Sequence, residues 1–436
     1  MYERCPRIHW VSPLPPAETD IAHYTRRILP ELTDRANVTL WTEEKAWDRE
    51  LKQFCDVRHM NPRTIRPYVM CTDDTPGTDP GAVFINIGNS WVFHANLLTL
   101  AQRIPSIIVL HDLSIQEMLL EAIHNNLWDR DTYLQAMHRW YGKEGQIAAQ
   151  DALDGTVPAL ELAQQFPGFE LVMENAAAVL THTPAALEAV AARKYIPTYN
   201  LELPFRASGQ AKSTRSMTGP LRLVQFGYIG PNRRLEQVLE ALAEMGDDFD
   251  FTFDIAGKLW NPDLIKRRCQ ALGLTHKVRL TGFIPETQLD ALIGQAHLVF
   301  NLRHPTMGEA SGSQLRIWNG AAASVVMDQG WYHHVSNDCV FHISLENELS
   351  ELKSLLKRLY EDRSLGQSIG QSGYERLTTQ HDPAQYADGI VEIANTFEKD
   401  VRDSLFSESA RRLLTQGQDI TGLQHQRIAR VFESKT

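Results

Sequence analysis

Three stretches of the chain carry side chains whose types and spacing suit binding a phosphate and contacting a hydroxyl or moving a proton. The longest is Asn301-Leu-Arg303-His304-Pro305-Thr306-Met307-Gly308-Glu309-Ala310-Ser311-Gly312-Ser313-Gln-Leu-Arg316, set between an apolar run and an amphipathic one. Ser311, Gly312 and Ser313 at a helix start would offer free backbone N–H groups and the positive end of the helix dipole to a phosphate. Glu309, just before that turn, can accept hydrogen bonds from hydroxyls on whatever the phosphate carries. A plain capped helix with a solvated carboxylate explains the same residues. The second stretch is Gly227-Tyr228-Ile229-Gly230-Pro231-Asn232-Arg233-Arg234. A Gly-rich turn followed by guanidinium groups suits a diphosphate through paired charge-assisted hydrogen bonds; an ordinary turn with two surface arginines is the bland alternative. The third is His111-Asp112, with Gly88-Asn89-Ser90 and His94 near it in order. A histidine at the mouth of a parallel sheet can bind a sugar hydroxyl or move a proton, although a lone histidine is more often structural.

These groups need elements to hold them. Arg7–Val11, Asn37–Trp41, Ala82–Ile87, Ser106–Leu110 and Ala176–Leu180 read as strands, with a helix over Ile21–Leu32. Ser114 and Glu117 suggest a capping box for the helix after His111, and Thr183-Pro184 starts another. Residues 204–220, including Ser213 and Thr214, have linker composition. Beyond them the pattern restarts. Strands are expected at Leu221–Phe226, Phe251–Ala256, Val278–Leu280, Leu298–Leu302 and Ser324–Met327, and helices at Leu235–Met245, Leu264–Leu272, Thr287–Gln295 and Ser313–Ala323. Alternation of this kind argues for an α/β protein of two doubly wound parallel sheets facing a cleft. The expected division is 1–205, 206–380 and 381–436, the last a set of C-terminal helices whose first member crosses back to the N-terminal domain.

Composition narrows the classes. The chain has 436 residues, 43 basic and 54 acidic, for a net charge of −11. That length suits two domains, and the acidic balance argues against a nucleic-acid binder. Five scattered cysteines (Cys5, Cys55, Cys71, Cys269, Cys339) without Cys-x-x-Cys spacing read as reduced cytosolic thiols. Neither a secretory signal nor an eighteen-residue apolar run is present, so a cytoplasmic location is expected. His138-Arg139-Trp140-Tyr141-Gly142-Lys143 mixes bases and aromatics. A partly buried helix explains it better than peripheral contact with the inner membrane face, which stays as the other reading. Asp129-Arg130-Asp131 and Asp248-Phe249-Asp250 read as a helix cap and a turn rather than metal ligands.

In combination, Gly227-Tyr-Ile-x-Pro-Asn-Arg233, Ile255-Ala-Gly257, Val278-Arg-Leu-Thr-Gly282-Phe283 and Arg303-His-Pro-Thr-Met-Gly-Glu309-Ala-Ser-Gly-Ser313 resemble retaining glycosyltransferases of family 4, the glycosyl transferases group 1 type related to glycogen synthases. Ser12-Pro-Leu-Pro-Pro16, Ile21-Ala-His-Tyr24 and Leu110-His-Asp112 extend the resemblance, which covers most of 7–395. It implies the GT-B fold and a hexosyltransferase moving sugar from a nucleotide-diphosphate sugar to a glycan, lipid-linked or protein acceptor in polysaccharide or glycoconjugate synthesis. No cofactor or metal is implied. Glu309 would contact donor-sugar hydroxyls, as would His111. Ser311, Gly312 and Ser313 would hold the diphosphate, Arg233 would neutralise it where the family has Lys, and Gly282 and Phe283 would line the base. Three positions depart from the pattern. Ile317 stands where a second Glu contacts ribose, Tyr228 where many members have Arg, and Asp20 where relatives have Gly in the loop over the phosphates. A catalytically silent binding or assembly subunit, or a nucleotide-sugar epimerase, are the alternatives.

Overall fold

The computed structural model describes residues 5–61, 63–65, 81–193, 196–208 and 215–415. Cys71, Ser213, Thr214 and the C-terminal tail from Gly417 lie outside them. The chain forms two compact units, one of residues 1–204, 307–310 and 383–436, the other of 205–306 and 311–382.

The first unit is built on seven strands, β1 (Arg7–Val11), β2 (Asn37–Thr42), β3 (Asp56–His59), β4 (Ala82–Ile87), β5 (Ser106–Leu110), β6 (Ala176–Thr181) and β7 (Thr198–Asn200). They lie in the order β3-β2-β1-β4-β5-β6-β7, every pair parallel. The expected strand set therefore continues past Ala176–Leu180 by one short strand. Successive side chains of a strand enter opposite faces. Val83, Ile85 and Ile87 join one apolar cluster, while Ala82 and Phe84 join the other. Helices α1 (Asp20–Thr33), α2 (Trp91–Ala101), α3 (Gln116–His124), α4 (Arg130–Leu153), α5 (Ala159–Gln165) and α6 (Pro184–Ala191) complete this part of the chain.

Several local expectations are corrected by longer-range partners. Ser114 and Glu117 form no capping box: α3 has Ile115 at its cap position with no side-chain cap bond. Asn89 does the work instead, its Oδ1 accepting the Met118 N–H at 3.0 Å while its Nδ2 donates to Glu117 at 3.2 Å. Asp20 opens helix α1, where a carboxylate complements the helix dipole. In α4, Gly142 takes φ 71° and breaks the helix. Trp140 and Tyr141 pack against the core, and the Tyr141 hydroxyl donates to the buried Glu170, which Arg193 also reaches. Asp129 caps α4 through the Thr132 N–H at 2.7 Å. Among the described residues no helix is long and apolar enough to cross a membrane.

The second unit carries β8 (Leu221–Ile229), β9 (Phe251–Leu259), β10 (Val278–Gly282), β11 (Leu298–Phe300), β12 (Ser324–Met327) and β13 (Phe341–Ile343), parallel in the order β10-β9-β8-β11-β12-β13. Its helices are α7 (Leu235–Ala243), α8 (Pro262–Ala271), α9 (Glu286–Gln295), α10 (Gly312–Asn319), α11 (Glu348–Glu361) and α12 (Ser364–Gln380). The Gly-rich turn starts later than expected, because β8 stays paired with β9 as far as Ile229↔Leu259. Gly227 (φ 99°) and Gly257 (φ 132°) face each other in that ladder, and a Cβ on Gly257 would lie 2.0 Å from the Gly227 carbonyl oxygen.

The last helix, α13 (Pro383–Thr415), belongs to the first unit. Its Tyr386, Ile390, Phe397 and Val401 are buried in the cluster shared with Ile28, Leu32 and Phe84. Phe397 is fully buried, so Phe397→Ala is expected to cost about 3–5 kcal/mol. Chemical denaturation should show it, and a loss below about 1 kcal/mol would contradict this packing.

Candidate functional site

In open parallel sheets, ligands bind beyond the carboxyl ends of the strands where the strand order reverses. In the second unit the reversal falls between β8 and β11. Arg233 follows β8, Ser311–Ser313 follow β11, and Gly282 and Phe283 close β10. All six therefore share one end of the sheet.

Arg233 is 4% exposed, not a surface residue. Its Nη2 donates to the Asn301 Oδ1 at 3.1 Å and approaches the Phe226 carbonyl at 3.5 Å. Gln225 pins its backbone, donating to the Arg233 carbonyl at 2.8 Å. Asn301 then turns its amide nitrogen to Gln314 Oε1 at 2.9 Å, to the Tyr332 hydroxyl at 2.7 Å and toward Ser311 Oγ at 3.4 Å. One buried carboxamide thus ties the guanidinium to the start of α10. Ser311 caps that helix, accepting the Gln314 N–H at 3.2 Å. The first-turn N–H groups of a helix lack intrahelical acceptors, and the space beside Gly312 is open, with no atom within 4 Å of a built Cβ. Together these supply a charge and an array of donors suited to an anion.

Arg234 takes another role. It adopts φ 57° and forms a two-pronged ion pair with the nearly buried Glu348, which raises its pKa and commits it to structure. Gly282 (φ 66°) ends β10 at a bulge, and Phe283 is 79% exposed. Tyr228 is also exposed, whereas Ile317 is fully buried among Val224, Phe226 and Ile293. The side chain eight positions after Glu309 therefore serves the core. Asp248 and Asp250 sit in a turn, where the Asp248 carbonyl accepts from the Tyr360 hydroxyl and the Asp250 carbonyl from the Leu221 N–H. Gly366-Gln-Ser-Ile-Gly370 and Ser354-Leu-Leu-Lys357 spell hydrolase-like strings, yet both lie inside helices, α12 and α11, and not at strand–helix turns.

In the first unit, His111 follows β5 and is partly exposed. Its Nε2 lies 2.9 Å from Asn86 Oδ1. His182, after β6, stands 5.0 Å away ring to ring, and Tyr24 meets His111 edge-on at 4.8 Å. Burial, reinforced by His182 and His94, holds the His111 pKa well below the ordinary value. Burial likewise takes His94 and His182 to about 4. Glu309 belongs to this unit and accepts the Met307 N–H at 2.7 Å. Sequence reading did not single out Asn301, Asn86 or His182, because nothing local marks a residue whose partners are distant in the chain.

Residues 210–315, which include every second-unit candidate, match the family model of glycosyl transferases group 1. By sequence, no curated protein matches the chain. Solved structures do. HepE from Anabaena in complex with UDP and glucose aligns over 90% of this chain and 100% of its own at 15% identity and TM-score 0.56. Sucrose-phosphate synthase from Thermosynechococcus elongatus aligns over 90% and 99% at 12% identity and TM-score 0.56. WaaG, a glycosyltransferase involved in lipopolysaccharide biosynthesis, aligns over 89% and 99% at 12% identity and TM-score 0.54. The fold is GT-B, and residues 210–315 are similar to the glycosyl transferases group 1 family.

The buried imidazoles set a pH dependence. Burial lowers the His94 and His182 pKa from 6.5 to about 4 in the folded state, so between those values the unfolded chain binds more protons and stability is lost as the pH is lowered. From pH 7 to 5 the loss should reach roughly 2 kcal/mol per ring. A melting temperature unchanged between pH 7.5 and 5 would contradict neutral burial of these rings.

Proposed function

We propose that this protein is a retaining glycosyltransferase of family 4 that uses a nucleotide-diphosphate sugar and needs no divalent metal. The observation that carries the reading is the Arg233–Asn301–Ser311 connection at the switch point of the second sheet. Breaking the anomeric C–O bond places negative charge on the leaving diphosphate. A buried guanidinium and a helix N-terminus, both held in place beforehand, stabilise that charge without reorganising. Arg233, Ser311, Gly312 and Ser313 are assigned to the diphosphate, Gly282 and Phe283 to the base. Glu309 and His111 are assigned to sugar hydroxyls; a neutral His111 suits a hydroxyl better than an anion. The GT-B neighbours support a sugar nucleotide as donor, since HepE is bound to UDP and to UDP-glucose. The acceptor is assigned only to the class of glycans, lipid-linked sugars or proteins, and the reaction to the cytoplasm.

Donor turnover with a panel of UDP- and GDP-sugars tests this. Arg233→Ala and Glu309→Ala should each lower the rate at least about 100-fold, with activity surviving EDTA and the anomeric configuration kept. Rates within a few-fold of wild type would sink the assignment. The buried Ile317 favours a second reading, a silent binding subunit, because it leaves no carboxylate at the family's ribose position. In calorimetry, binding without turnover would select that reading.

Asn301→Ala should weaken UDP binding roughly tenfold, the usual worth of a hydrogen bond to a charged group. Arg316→Ala, removing the exposed pair with Asp290, should change it less than twofold; equal effects would deny Asn301 its special place.

A further inference from the structure

Asn86 is the penultimate residue of β4 and is wholly buried. Its Nδ2 donates to the Val11 carbonyl at 3.0 Å. A carbonyl only accepts, so the orientation of the amide is settled and Oδ1 must face His111. Oδ1 also only accepts, so the His111 Nε2, 2.9 Å away, must carry the hydrogen. In a neutral ring the lone pair then sits on Nδ1, and among the described residues no group hydrogen-bonds that atom. We propose that Asn86 is a positioning residue: it fixes His111 in the Nε2–H tautomer, so that the ring meets its sugar as a hydrogen-bond acceptor only.

The surroundings hold this state. His94 donates its Nδ1–H to the Asn86 carbonyl at 3.1 Å, and His182 donates its own to the Leu201 carbonyl at 3.0 Å. Both neighbouring rings thereby donate from Nδ1, and burial keeps them neutral at pH 7. Tyr24, the other ring facing His111, is engaged with Tyr386, hydroxyl to hydroxyl at 2.5 Å. The adjacent Asp112 turns its carboxylate to the Asn89 N–H at 2.8 Å. An acceptor-only imidazole pairs with a hydroxyl but not with a carboxylate, which at neutral pH also only accepts. The site therefore selects a neutral hydroxylated sugar over an acidic one at the position that meets His111. This rests on the sugar-contacting role proposed above, while the tautomer stands apart from it.

Long-range ¹H–¹⁵N correlation spectra of the full chain labelled at histidine test the proposal, with His111→Asn identifying the resonances. The expected result is a protonated-type Nε2 and a bare-type Nδ1 from pH 6 to 9 in the ligand-free protein. The opposite tautomer, or an imidazolium at pH 7, would overturn it whatever the protein's activity. With UDP-glucose as the probe, the Nδ1 resonance should move upfield. A stationary resonance while UDP-glucose binds would overturn the acceptor role and leave donor binding intact. Asn86→Asp keeps an acceptor but adds charge, so donor turnover should gain an acid limb, kcat/KM falling roughly tenfold per pH unit below the new midpoint. A pH profile identical to wild type in a folded variant also counts against the proposal; should that variant not fold, the wild-type spectrum decides.

Discussion

A guanidinium removed from water has to be held by polar groups in fixed positions, and Arg233 is held by a carboxamide and a main-chain carbonyl. Desolvating a permanent cation is costly unless its donors are satisfied. Asn301 meets part of the cost, and through its nitrogen it reaches Gln314, Tyr332 and the helix cap. Gln314 in turn donates to Ser324 at 2.7 Å, so the network runs on into β12. The charged group and the helix start are therefore parts of one rigid arrangement. Such rigidity is what a charge-stabilising site requires, since reorganisation during reaction would consume the gain.

The first unit solves a different problem with the same economy. Three imidazoles lie near one another, His111 and His182 just after β5 and β6 and His94 in the first turn of α2, and none can be charged without a desolvation cost. Each ring's tautomer is dictated by a main-chain carbonyl or a buried amide. A cluster of nominally titratable residues thus behaves as a set of fixed dipoles at neutral pH.

Much of this was legible in the sequence. Apolar runs of five or six residues gave the strands, and the restart after residue 220 announced a second parallel sheet. The candidate anion-binding residues were visible as Gly, Ser and Arg at strand ends. What escaped was whatever depends on distant partners. Asn301 pairs with a residue 68 positions away and Asn86 with one 75 away, and a single Asn in an apolar run carries no local mark of either. The capping box at Ser114 failed for the same reason: Asn89, on another loop, outcompeted the local side chains. Arg234 looked equivalent to its neighbour until Glu348, 114 residues on, claimed it.

The placement of α13 bears on biosynthesis. One apolar face of the N-terminal sheet is completed by Tyr386, Ile390, Phe397 and Val401, which leave the ribosome long after the strands they cover. During translation that face must wait, uncovered and adhesive, while the entire second unit is made. Fragments ending before this helix would inherit the same exposed surface permanently, so excising the N-terminal half as a free-standing piece runs against the way the polypeptide closes on itself.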